Sequence, residues 1–117
     1  MENTICHVEI PVTDLKKAKD FYSKVFRWKI EVMPEVNYAT FETASPPGGG
    51  FNKVDIVKPG GVLFYITVED IEKKLEEIEK AGGKALSGKN EIPNVGWMAL
   101  FSDVFGNVLG LFKPMQE

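Results

Sequence analysis

The stretch "CHVEIPVTDLKKAKDFYSKVF", residues 6–26, decides how the rest of the chain is read. Its first seven residues alternate. Val8, Ile10 and Val12 fall on one side of an extended strand and His7 and Glu9 on the other, because successive strand side chains point to opposite faces. The period then changes. Leu15, Ala18, Tyr22 and Val25 recur at spacings of three and four, the apolar stripe of a helix packed on one side. Thr13 or Asp14 supplies a side-chain oxygen to cap the first free N–H groups of that helix. An apolar strand face leading into an amphipathic helix makes a β–α unit. His7, the single histidine of the chain, and Glu9 then lie on the face that the helix leaves uncovered.

Downstream, "RWKIEVM" (27–33) and "NYATFET" (37–43) read as strands joined through Pro34 and Glu35. "SPPGGG" (45–50) reads as a hairpin turn or mobile lid, since it lacks the Lys and Ser/Thr of a phosphate loop. "FNKVDIV" (51–57) reads as the next strand. The pattern then restarts. "VLFYITV" (62–68) alternates, with Phe64, Ile66 and Val68 on one face and Leu63, Tyr65 and Thr67 on the other. "EDIEKKLEEIEKAGG" (69–83) is a capped helix with Ile71, Leu75 and Ile78 on its stripe and Gly82 and Gly83 at its end. "KALSGKNEI" (84–92) holds a short strand and a loop, "VGWMALFSD" (95–103) a strand, "DVFGN" (103–107) a turn and "VLGLFKP" (108–114) a last strand.

One offset lays the second half over the first. At a shift of 56, Ile10 meets Ile66, Val12 meets Val68, Asp14 meets Asp70, Leu15 meets Ile71 and Ile30 meets Leu86. The spacing predicts an α+β fold of two tandem βαβββ modules, at about 4–57 and 60–115, within one domain of 117 residues. Helices cover the Val8/Ile10/Val12 and Phe64/Ile66/Val68 faces. The opposite faces are expected to form curved mixed sheets around a cleft.

Composition narrows the function. The chain is 44% hydrophobic and 26% charged, with a net charge of -3, and carries no basic run interleaved with aromatics, so nucleic acid is not an expected partner. No apolar run approaches a membrane span and no leader is visible, so the expected location is the cytoplasm. The single Cys6 forms neither an internal disulfide nor a cysteine metal cluster, and its parity turns it from His7.

"CHVEIPVTDLKKAKDFYSKVF" resembles the opening of the vicinal oxygen chelate superfamily, which holds glyoxalases, bleomycin-resistance and fosfomycin-resistance proteins and extradiol dioxygenases. "FSDVFGNVLGLF" (101–112) resembles that family's closing D-P-x-G-N turn and strand; Asp103, Gly106 and Asn107 match, and Val104 stands in place of the proline. "EIPNVGWMALFSDVFGN" (91–107) is most similar to the glyoxalase-like, lactoylglutathione-lyase-related branch. The resemblance implies the glyoxalase/bleomycin resistance/dioxygenase fold and a homodimer. This fold hosts lyases, isomerases, dioxygenases and pure binders, so function rests on the site.

In metal-dependent members the resemblance implies ligands from the first and last strands of each module. His7 fills the first position. Its counterpart at 56 residues on is Leu63, which has no donor atom, and the closing-strand position falls on Gly110. In the first module's last strand the candidates are Asn52, Lys53 and Val54, of which Asn52 alone carries a side-chain oxygen. A tight divalent site needs three or four protein ligands in set geometry. No metal and no cofactor are therefore expected, with His7 a remnant ligand that hydrogen-bonds Glu9, a backbone group or water.

The expected ligand cavity is lined by His7, Glu9, Asn52, Leu63, Tyr65, Thr67, Trp97, Gly110 and Phe112. The aromatics Trp28, Phe51, Tyr65, Trp97 and Phe112 are more than two small sheets need, so some line an apolar pocket and the others pack in the core. Glu9, partly buried beside His7 and Tyr65, is the candidate general base; the plainer reading is a structural carboxylate paired with a donor. The leading expectation is a metal-independent binder of a small organic molecule, similar to the bleomycin-resistance members. The alternative is a glyoxalase-like lyase or isomerase acting on a small oxygenated substrate, and a third is a scaffold with a filled cavity.

Overall fold

The computed structural model describes residues 5–115. The chain divides into two compact units, Met1–Val57 and Lys58–Glu117.

The first unit runs β1 (His7–Val12), α1 (Leu15–Phe26), β2 (Lys29–Met33), a 3-10 turn at Pro34–Val36, β3 (Tyr38–Glu42) and β4 (Gly48–Lys53). Its sheet has the order β1-β4-β3-β2, with β1 parallel to β4 and the other pairs antiparallel. Asp14 is the cap of α1, its carboxylate accepting from the Lys17 N–H at 3.0 Å. Leu15, Ala18, Tyr22 and Val25 are buried as their spacing requires, and Phe21 joins them. They pack on the sheet face of Ile10, Val12, Ile30, Ala39, Phe41 and Phe51.

Four rings close a cycle in that layer. Tyr22, Trp28, Phe41 and Phe51 stand with centroids 5.1, 4.5, 5.0 and 5.0 Å apart around the ring. These are favourable aromatic contact distances, and they place Trp28 and Phe51 in the core and not in a pocket.

One expectation fails here. "PPGGG" is neither turn nor lid at its glycines: Gly48, Gly49 and Gly50 are the first half of β4, and the strand ends at Lys53 rather than running on to Val57. Composition suggested a loop because glycine weakens a strand, but here close approach requires it. A Cβ on Gly49 would overlap the Val8 carbonyl oxygen, and one on Gly50 would overlap the Tyr38 ring.

The second unit repeats the plan with β5 (Tyr65–Thr67), α2 (Ile71–Lys80), β6 (Lys84–Ala85), β7 (Asn90–Ile92), β8 (Gly96–Ser102) and β9 (Val108–Pro114). Its sheet order is β5-β9-β8-β6, with β7 also paired to β8. Asp70 caps α2 as Asp14 caps α1, accepting from Lys73 N–H at 3.0 Å. The helix ends where Gly82 turns to φ 100°, a left-handed conformation that favours glycine. Ile71, Leu75 and Ile78 are buried, together with Val68, Ala99, Phe101, Leu109 and Leu111.

The two copies have diverged in places. β5 is three residues long against six in β1, so Leu63 precedes the strand and is exposed. Ile66 is half-buried where Ile10 is buried, and Leu86 is exposed where Ile30 is buried. Cys6 likewise lies just outside β1 and is exposed.

Candidate functional site

Strand register sets which side chains meet on the uncovered face of the first sheet. Glu9 of β1 stands opposite Gly50 of β4, which stands opposite Thr40 of β3, which stands opposite Glu31 of β2. One row away, Pro11, Asn52 and Tyr38 are in line, and on the other side His7 faces Gly48. Asn52 is thus on this face, but the residue level with Glu9 is Gly50.

Tyr38 makes the site. Its ring lies across Gly50, in the space that any other side chain there would fill, and so reaches β1 from β3. Its hydroxyl donates to Glu9 Oε2 at 3.1 Å. The phenol oxygen of Tyr38 is also 2.8 Å from His7 Nε2. Partial burial, then the hydrogen bond to Glu9 and the charge of that carboxylate, hold the Tyr38 phenol above its ordinary pKa. The group therefore acts as a protonated donor, not as a phenolate.

Sequence reasoning placed His7 and Glu9 on one face and missed the phenol that joins them. Two signals were available: Tyr38 has the outward parity in "YATFE", and a glycine lies where its ring must cross. Neither can be used without the β3–β4 register, which the mistaken start of β4 hid. His7 and Glu9 are both exposed, so Glu9 lacks the partial burial that the general-base expectation assumed.

In the second unit, Tyr65 and Thr67 stand opposite Gly110 and Phe112, which stand opposite Leu100 and Met98. The Tyr65 ring covers Gly110 so closely that a Cβ there would overlap it. Gly110 corresponds to Gly50, because Glu9 pairs with Gly50, Tyr65 pairs with Gly110, and 9 plus 56 is 65. Each unit therefore has a glycine in its last strand under a tyrosine ring, the tyrosine coming from β3 in one and from β5 in the other.

Trp97 does not join this face. It stands opposite Lys113, on the side of β8 that carries Ala99 and Phe101. The ammonium groups of Lys89 and Lys113 lie 5.3 and 5.7 Å from its ring centroid, within cation–π range. Parity was ambiguous in "VGWMALFSD", where apolar residues occupy both faces. Among the described residues, no group of three or more His, Cys, Asp and Glu side chains comes together as a metal site would.

Comparison with known proteins fits this frame. Residues 4–44 match the family model of the bleomycin resistance protein-like N-terminal region. A glyoxylase-like domain-containing protein of Didymella fabae is 34% identical over 116 residues, covering 92% of this chain and 91% of that one. The fosfomycin resistance protein FosX of Listeria monocytogenes superposes with a TM-score of 0.80 at 15% identity, over 98% of this chain and 96% of that one. TnmS3, an antibiotic binding protein from Streptomyces sp. CB03234, superposes with a TM-score of 0.71 at 22% identity, over 98% and 99% of the two chains. At those identities the two superpositions speak for the fold alone. With a 34% identical relative across nine-tenths of both sequences, the chain belongs to the glyoxalase/bleomycin resistance protein/dioxygenase family, the vicinal oxygen chelate superfamily.

Proposed function

We propose that this chain binds a small organic molecule without a metal ion, as a homodimer in the cytoplasm. The observation that carries the reading is the pair of covered glycines. A divalent cation needs several side-chain donors around it. The matched positions on the last strands are Gly50 and Gly110, each without a donor and each under a tyrosine ring. Leu63 offers no donor either, and Nε2 of His7 is engaged by Tyr38. The residues at these positions do not fit a divalent cation. They fit an organic surface: a phenol, a carboxylate and an imidazole in one unit, and Tyr65, Phe112, Met98 and Leu100 in the other. That TnmS3 is an antibiotic binding protein supports the same class of function. The exposed, unpaired Cys6 suits a reducing compartment.

A second reading, a glyoxalase-like lyase or isomerase with Glu9 as base, draws on the name of the Didymella relative. It is the weaker one, because Oε2 of Glu9 already accepts the Tyr38 hydroxyl and the carboxylate is exposed.

Thermal unfolding with Zn²⁺, Ni²⁺, Mn²⁺ or Fe²⁺ near the protein's own concentration tests the proposal. A tight native-state site must raise stability by mass action. No rise is expected with any of the four. A rise that disappears in His7→Ala would make the lyase reading the leading one. Sedimentation tests the dimer: a 13.1 kDa species at high concentration would exclude it.

A further inference from the structure

The hydrogen bonds of the first unit have a direction, and the direction limits what the site can recognise. A tyrosine hydroxyl has one hydrogen to give and lone pairs to accept with. Tyr38 gives its hydrogen to Glu9 Oε2. The 2.8 Å contact with His7 must therefore be made by a hydrogen on Nε2, donated to the phenol oxygen. Neutral His7 is then the Nε2–H tautomer, and its Nδ1 is an acceptor. Glu9 keeps Oε1 and the remaining capacity of Oε2, which are acceptors only. Among the described residues no further partner takes up Nδ1 of His7 or Oε1 of Glu9. The charge of the same sheet face agrees: Glu9, Glu31 and Glu42 lie there against Lys29, which stands opposite Glu42.

We infer that Tyr38 is a specificity-determining residue: by tying down the one ring hydrogen of His7, it leaves the His7–Tyr38–Glu9 cluster offering acceptors alone, so the part of the ligand that meets this cluster presents N–H or O–H donors to it, as an amine, amidine or primary amide does. The inference rests on the proposed organic-ligand function and names the chemical class. Gly50 is part of the device, since only a residue without a side chain lets the ring cross to β1.

Two measurements on the intact chain test it. The first is the nitrogen NMR of the His7 ring at a pH where the imidazole is neutral. A protonated Nε2 and a bare Nδ1 are expected in the native protein, and a mixture of tautomers in Tyr38→Phe. A dominant Nδ1–H form in the native protein would overturn the inference.

The second is titration with three probes of one shape, followed through amide shifts of β1 and β3. Benzamidine in its protonated form carries four N–H groups, benzamide two, and acetophenone none. Affinity is expected to fall in that order, with a loss of about tenfold or more for benzamidine in Glu9→Gln, as charge-assisted hydrogen bonds are the strong ones. Acetophenone binding as well as benzamide, or no shifts at β1 with any probe, would overturn the inference. Neither measurement involves metal, so a metal-dependent rise in stability would fail the functional proposal separately.

Discussion

The ring of Tyr38 occupies the space that a side chain at Gly50 would need. From that single fit come the cross-strand reach of the phenol, its two hydrogen bonds to His7 and Glu9, and the last of the three glycines at the start of β4.

Alanine at neighbouring glycines of β4 should separate two kinds of crowding. At Gly49 the obstacle is the Val8 carbonyl oxygen, which belongs to the β1 backbone and cannot turn aside. At Gly50 the first obstacle is a tyrosine side chain, half-buried and able to rotate away. Both substitutions overpack, at a cost of about 1–3 kcal/mol, with Gly49→Ala the more damaging. Combining Gly50→Ala with Tyr38→Ala should cost less than the sum of the two single changes, because the ring and the methyl group compete for one space. Urea denaturation of the four variants checks the ranking, and strict additivity would show that the ring does not lie there.

Alkaline titration should report the Tyr38–Glu9 contact. The folded protein holds the phenol above its unfolded pKa, so the protonated form is the one that folding favours. That contribution is fully present below the ordinary phenol range and is lost as pH rises through the folded value. The absorbance difference between native protein and Tyr38→Phe should show a phenolate step later than that of a free tyrosine. Glu9→Gln should move the step down, since it removes the carboxylate charge. A step at or below the free-tyrosine position would contradict the hydrogen bond.

Core and surface positions should differ sharply. Phe51 is 0% exposed at the meeting of the four rings, and Phe51→Ala should cost about 3–5 kcal/mol through lost burial and a residual cavity. Leu63 is 38% exposed and precedes β5, so Leu63→Ala should change stability by under about 1 kcal/mol. Similar losses would mean that the sheet faces are assigned wrongly.

The closing turn carries a local test of its own. Asp103 is buried, its Oδ1 accepts from the N–H groups of Phe105 and Asn107 at 2.9 Å, and its Oδ2 accepts from Asn107 Nδ2 at 2.9 Å. Asp103→Ala removes the carboxylate acceptor of three hydrogen bonds, two of them from backbone N–H groups. A loss of about 2–3 kcal/mol is expected, read from the midpoint of chemical unfolding. A loss within error would mean that water replaces the carboxylate without cost.

Much of this fold was legible before any coordinates. The alternation of Val8, Ile10 and Val12, the helical stripes, and the paired caps Asp14 and Asp70 are local signals, and they give the β–α units directly. The 56-residue repeat carries further, since sheet orders β1-β4-β3-β2 and β5-β9-β8-β6 follow one plan. What escaped depends on non-local contact. Gly48–Gly50 looked like a loop because their reason for being glycine lies in Phe41, Val8 and Tyr38, on two other strands. The site was half legible for the same reason: one strand carries His7 and Glu9, whereas Tyr38 arrives from 29 residues beyond Glu9. Trp97 could have pointed either way until its partner Lys113 was known.

The central claim is that the faces bearing Tyr38 and Tyr65 serve an organic ligand and not a metal ion. Native mass spectrometry of the protein taken from the cells that make it tests this most directly. The account predicts an adduct with the mass of a small organic molecule, reduced in Tyr38→Phe and in Glu9→Gln, with no stoichiometric metal. One divalent ion per chain, lost in His7→Ala, would contradict it.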